Sequence, residues 1–321
     1  MTRLYFTIDT EYSYSLAARG VGRAENYACS IAGTTPTGDY GIGYQMDRFD
    51  AAGLKAVFFV DPMPALIWGV EALADVVQPI IKRGHDVQLH IHTEWLSLTG
   101  AANPLGEGRN GQSIKHFTLD EQRVLLGRAR ELLVEAGAPP PVAFRAGNYG
   151  ANDDTLRALA ELGIAYDTSH TPGISGGECD ISLGRNDRDV RPHAGVTEVP
   201  VASIAASGGG QRHFQLTALS CNEMLAALRH AVRSGQESVT LVSHSFELLS
   251  RDRRQANRIV VRRFDRLCEA LARLEGVQTA TYAHAPPRAS QVPITQLPHS
   301  RWRTGHRQIE QAIGNLLYGR G

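Results

Sequence analysis

Lysine is almost missing from this chain. It occurs only at Lys55, Lys82 and Lys115, and every other basic residue is arginine. That bias reads as the habit of a GC-rich genome and carries no function. The 33 basic residues are matched by 33 acidic ones, so the formal net charge is zero. Such a balance argues against a protein that grips nucleic acid through a broad basic surface, though a local arginine pocket for a small anion stays open. Cysteine is scarce as well. Cys29, Cys179, Cys221 and Cys268 stand far apart with no C-x-x-C pair, which leaves zinc-finger and disulfide-framework readings with little support. Long apolar runs are also lacking. No window approaches ~18 uninterrupted apolar residues, so no membrane span is expected. The start, Met1 to Asp9, has none of the regions of a secretory signal. These absences together make a cytoplasmic location the expectation.

What is present is alternation of strand-like and helix-like segments over 321 residues. Leu4 to Ile8, Lys55 to Val60, Asp86 to Leu89, Val142 to Phe144, Ile164 to Tyr166, Val196 to Ser203, Ser238 to Val242 and Gln278 to Thr281 read as strands. Helices are predicted over Tyr44 to Ala52, Ala65 to Arg83, Thr118 to Ala136, Asn152 to Leu162, Asn222 to Val232 and Ala256 to Leu274. Pro79 inside the second of these should kink or split it. Residues 12–40 and 97–116 read as long loops of functional type, and 172–215 as irregular with short strands. No linker or internal repeat divides the chain. The pattern predicts one α/β domain with a largely parallel sheet, open or closed as a barrel. Residues 286–321 form a tail that ends in an amphipathic stretch, Gln308 to Tyr318. That stretch is expected to pack on its own barrel, with a second subunit of a homodimer as the alternative.

Polar residues of catalytic type collect at five strand ends. Asp9 and Glu11 follow the first strand, and His90, His92 and Glu94 follow the third. Arg145, Asp167 and His244 close three later strands. In a parallel sheet these ends lie on one side, so residues more than two hundred positions apart converge on one pocket. Imidazole and carboxylate are the ligands of a catalytic zinc or a similar divalent ion. Such an ion lowers the pKa of a bound water to ~7 and polarises a carbonyl. Asp9 is the candidate base, Arg145 the group that keeps it ionised, and His244 the candidate general acid. Glu11 lies on the same side of an extended chain as Asp9 and can reach the metal. His90 and Glu94, spaced i, i+4, meet one ion if a helical turn follows the strand; His92 meets it if the chain stays extended.

These residues, in this order, resemble the NodB-like polysaccharide deacetylases of the carbohydrate esterase family 4 superfamily. Thr7-Ile8-Asp9-Thr10-Glu11 resembles the first motif of that family. Gly84-His85 through His90 to Glu94 resembles the second, and Phe144-Arg145-Ala146-Gly147-Asn148-Tyr149-Gly150 the third. Tyr166-Asp167-Thr168-Ser169 and Leu241-Val242-Ser243-His244-Ser245 resemble the last two. The resemblance spans roughly residues 1–285. It implies a distorted (β/α)7 barrel, a divalent metal with zinc as first expectation, and hydrolysis of an N-acyl group on a sugar or polysaccharide precursor, soluble or lipid-linked. It also implies Asn148, Tyr149 and Asp167 as substrate-binding residues. Two departures stand out: Thr10 replaces the second aspartate of the first motif, and Glu94 stands where a second metal histidine belongs. Alternative readings are an amidohydrolase acting on a small non-sugar amide with the same fold, or a catalytically degenerate glycan binder.

Overall fold

The computed structural model describes residues 1–174 and 176–319. Residue 175, in the expected irregular stretch, and residues 320 and 321, at the end of the expected tail, lie outside the described residues. The first strand, Thr2–Thr10 (β1), sets the architecture. Side chains on a strand alternate between its faces. Leu4, Phe6 and Ile8 point into the large core beneath the helices. Tyr5 points into a smaller core inside the curl of the sheet, with Val57, Phe59 and Tyr282. Thr7 and Asp9 share the parity of Tyr5, so the same alternation that fills the barrel delivers a carboxylate to its rim. Burial on both faces is why the strand reads as almost continuously apolar.

The remaining strands are β2 (Val57–Val60), β3 (Asp86–Ile91), β4 (Ala143–Ala146), β5 (Tyr166–Asp167), β6 (Arg191–His193), β7 (Val196–Glu198), β8 (Ser203–Ala205), β9 (Gln211–His213), β10 (Ser238–His244) and β11 (Val277–Thr279). The main sheet runs β10-β1-β2-β3-β4-β5-β7-β6, with β11 also beside β1. Its pairs are parallel except β6 with β7. The gap between β7 and β10 is bridged by residues 199–216, which hold the short antiparallel pair β8–β9 but add no full strand to the main sheet. Val199 N donates to Asp167 O at 2.8 Å on one side, and Ala202 N donates to Thr240 O at 3.1 Å on the other. Val242 N donates to Phe214 O and Leu216 N to Val242 O, both at 3.0 Å. The expected distorted α/β barrel therefore forms, with residues 199–216 as its seam.

Helices α1 (Ile42–Ala51), α2 (Val70–Lys82), α3 (Leu119–Glu135), α4 (Asp153–Glu161), α5 (Cys221–Arg233) and α6 (Arg258–Leu271) cover the barrel, and α7 (Arg301–Tyr318) follows in the tail. Capping boxes start three of them: Thr118 with Glu121, Asn152 with Thr155, and Ser220 with Glu223. An N-cap is worth about 0.5–2 kcal/mol; the starts at Thr118 and Asn152 fall where residue type placed them, whereas α5 is capped by Ser220, two residues before the expected opening at Asn222. The helix expected over Ala65 to Arg83 does split, but at Gly69 and not at Pro79. Gly69 has φ 78° and ψ 166°, a conformation open in practice to glycine alone, while Pro79 sits inside α2. The expected loop over 12–40 carries short helices, a π-helical turn and a two-residue hairpin. Strand β3 continues past Leu89 to Ile91, and α7 begins at Arg301, earlier than Gln308. No helix among the described residues is long and apolar enough to cross a membrane.

Candidate active site and metal centre

The parallel strands bring their C-terminal ends to one rim, and the chemistry sits there in two adjoining groups. The first is built on Asp9. Arg145 Nη1 donates to Asp9 Oδ1 at 2.6 Å and to Thr7 Oγ1 at 2.9 Å. Its Nε donates to the Thr168 carbonyl at 3.3 Å, and its guanidinium lies 4.5 Å from the Phe59 ring centre. Burial pulls the Arg145 guanidinium down, but the Asp9 charge and hydrogen bond, with Tyr149 and Tyr282, together push it above its ordinary value. Arg145 is therefore a fixed cation that orients one oxygen of Asp9 and leaves the other free.

That free oxygen, Asp9 Oδ2, lies 3.9 Å from His244 Nε2. The other ring nitrogen of His244 lies 3.4 Å from Glu247 Oε2, which also accepts from the His244 backbone N–H at 2.9 Å. Glu247 is held in turn: its Oε1 accepts from Gln215 Nε2 at 2.7 Å and from the Thr217 hydroxyl. Burial opposes the charged imidazole of His244, but Glu247, then Asp9 and Glu11, push it up to about 9. His244 thus has a carboxylate near each ring nitrogen, and both favour its charged form.

The second group is Glu11, His90 and His92, whose ligand atoms lie within 4.8 Å of one another. Glu11 Oε2 is 2.5 Å from His92 Nε2 and 3.5 Å from His90 Nε2. Yet that oxygen is buried and makes no hydrogen bond. Two imidazole nitrogens and a carboxylate oxygen face a common point. Both histidines are fixed from behind. His90 Nδ1 lies 2.7 Å from the Arg145 carbonyl, which accepts its N–H and leaves Nε2 as the free lone pair. His92 Nδ1 lies 3.1 Å from Glu94 Oε2. Metal-binding histidines are held in this way, with the far nitrogen bonded to a carbonyl or carboxylate. The donor set of two histidines and one glutamate is that of a three-ligand catalytic zinc site. The residues present fit a divalent ion.

This geometry corrects the expectation for Glu94, which stands outside the ligand group as the carboxylate behind His92. The cause is the extra length of β3. The chain stays extended through Ile91, so His90 and His92 share a side, and the 3-10 turn that places Glu94 starts only at Thr93. Asp167 is also corrected. It is wholly buried beside Glu198, accepting from the Ser169 hydroxyl and backbone N–H at 2.8 Å each. Glu198 is pushed up by burial and by the Asp167 charge. The pair ties β5 to β7 and is not open to a substrate. Asn148 and Tyr149 do reach the rim. Both adopt positive φ, 54° and 59°, in a turn that aims Asn148 Nδ2 at Glu94 Oε1, 3.2 Å away.

Three contributors were not foreseen. Asp61 closes β2, is buried, and accepts from the His92 backbone N–H at 3.4 Å; its other oxygen is unpartnered. Burial pushes Asp61 up to about 6, against the pull of His92 and His90. Its position at a parallel strand end was the available signal, masked because Asp61-Pro62 also reads as a strand stop. Glu247, and His213 with its Nε2 3.0 Å from the Tyr149 hydroxyl, complete the wall. Neither carries a sequence pattern. Burial first, then Arg145, pushes His213 down to about 4, so it is neutral.

No family model matches this chain, and no curated protein matches it. Solved structures do. A Mycobacterium smegmatis protein assigned as a polysaccharide deacetylase shares 18% identity at a TM-score of 0.55, over 88% of this chain and 87% of that one. A family 4 carbohydrate esterase from Streptomyces lividans, solved with acetate, shares 11% identity at a TM-score of 0.44, over 92% and 98%. A peptidoglycan deacetylase from Bacillus subtilis shares 11% identity at 0.40, over 99% and 97%. The similarity to the mycobacterial protein shows the fold: this chain has the distorted α/β barrel of that protein.

Proposed function

We propose that this protein is a metal-dependent hydrolase that removes an N-acyl group, acetyl or formyl, from a sugar or polysaccharide precursor. The observation that carries the reading is the Glu11–His90–His92 group beside the Asp9–Arg145 pair, with His244 bridging from the other side. Glu11, His90 and His92 would hold the ion, zinc as first expectation. A bound divalent ion supplies a water of lowered pKa and polarises the acyl carbonyl. Asp9, fixed by Arg145, takes a proton through its free Oδ2. His244, charged through Glu247, gives a proton to the departing amine. Asn148 and Tyr149 line the rim where a sugar would rest.

Metal analysis of protein purified without chelator tests the first half, with about one divalent ion per chain expected. Acetate or formate release from acetamido sugars, nucleotide sugars and simple amides tests the second. Release from simple amides alone would favour the amidohydrolase reading. The Asp9→Asn variant should keep its metal and lose turnover by about 10²–10⁴-fold. Full activity in that variant would remove Asp9 from the role of base.

A further inference from the structure

The tail helix α7 is mounted with its polar side inward. Arg307 is buried, with Nε 3.4 Å from Glu223 Oε2, and Arg263 Nη2 donates to Glu310 Oε2 at 2.9 Å. Gln311 Nε2 reaches the Thr217 carbonyl at 3.4 Å. The opposite side leaves Trp302 91%, Ile309 63%, Ile313 46%, Leu316 68% and Leu317 55% exposed. A helix that serves only its own barrel turns its apolar stripe inward. Here the polarity is reversed, so the outer stripe calls for a cover.

We propose that the cover is a second copy of this chain, bound about a two-fold axis with the two α7 helices antiparallel and centred on Ile309. The stripe is self-complementary under that operation, as a C2 contact requires. Trp302, Ile309 and Leu316 recur at seven-residue spacing and fall on one line of the helix. Pairing about Ile309 sets Trp302 against Leu316 and Gly305 against Ile313. Gly305 and Ala312, small and on the same strip, let the backbones approach. Charge agrees. The first turn of α7 holds no acid and its last turn no base, while Arg301 and Arg303 crowd its N-terminal end. For its own macrodipole that is the unfavourable end; beside an antiparallel partner Arg301 meets a helix C-terminus, while Arg303 donates to the Pro298 carbonyl of its own chain at 2.9 Å. A lipid surface is the rival occupant. An interfacial helix carries cations along its polar face at headgroup level, but Arg307 is turned into the barrel and the other two sit at one end.

The test is the mass of the full chain in solution, by sedimentation or light scattering. Wild type is expected at twice the 34.9 kDa of one chain. Ile309→Glu and Leu316→Glu are expected at the mass of one chain, with unchanged circular dichroism, because both positions are exposed, and with a melting temperature that no longer depends on protein concentration. Ile309→Cys, on the axis, should give a disulfide-linked dimer under mild oxidation that wild type does not give. A wild-type monomer over the accessible concentration range overturns the proposal, as does a dimer that survives both glutamates. Monomer that co-sediments with phosphatidylglycerol vesicles, and loses this with Ile309→Glu, overturns it in favour of the lipid surface.

Discussion

At the scale of single residues, the site is organised by what stands behind each working atom. His90 is fixed by a carbonyl, His92 by Glu94, and His244 by Glu247. Glu94→Gln should therefore weaken metal binding about 10–100-fold, the usual effect of losing an outer carboxylate. His92→Ala, which removes a ligand, should cost more. Equal losses in a metal competition assay would contradict this ranking. The Glu247 carboxylate is what raises His244, so the activity limb that reports the acid should fall as pH rises through about 9. In Glu247→Gln that limb should move toward the ordinary histidine value of about 6.5. The linkage has the same sign. A group raised in the folded state stabilises it fully below its unfolded pKa, and that contribution fades as pH climbs through the folded one. An unmoved limb in the pH–rate profile would count against Glu247 as the positioning group.

At the scale of elements, the readable part of the fold was the part governed by short-range rules. Thr118 and Asn152 cap because their side-chain oxygens accept from the backbone N–H three residues on. The parity of Asp9 with Tyr5 and Thr7 follows from the strand alone. The choice between His92 and Glu94 depended on whether β3 ended at Leu89 or Ile91, and strand ends are set by pairing: His90 lies opposite Arg145 and Ile91 opposite Ala146 on β4. Nothing in residues 86–94 records that partner. His213 was invisible for the same reason, since tertiary closure alone brings it to the rim; Glu247 gets there through the local turn after β10, where it accepts from the His244 backbone N–H. The break at Gly69 is a further case, because a proline nearby looked the stronger breaker. Gly69→Ala should cost about 1–3 kcal/mol in thermal or denaturant unfolding, as a side chain at that φ and ψ is strained. A neutral result would mean that the joint between the two helical pieces is not fixed by glycine.

At the scale of the whole molecule, the barrel is uneven around its circumference. From β10 through β1 to β5 the strands pair in continuous parallel register, and Asp9, Glu11, His90 and His92 hang from that arc. The opposite side is closed by residues 199–216, joined to its neighbours by isolated hydrogen bonds. Opening there breaks a few bonds without unzipping a ladder, so it costs less than global unfolding. Amide exchange should be measurably faster at Val201, Ala202 and Phe214 than at Phe6 and Ile8 on β1. Uniform protection around the barrel would refute that contrast. His213 rides on the yielding side, while Asp9, Glu11, His90 and His92 ride on the stiff one. The division has a bearing on how such a protein changes over evolutionary time. Substitutions, insertions and deletions in the seam can reshape that wall of the site while Glu11, His90 and His92 keep their spacing, so under the proposed function the choice of substrate can drift independently of the chemistry.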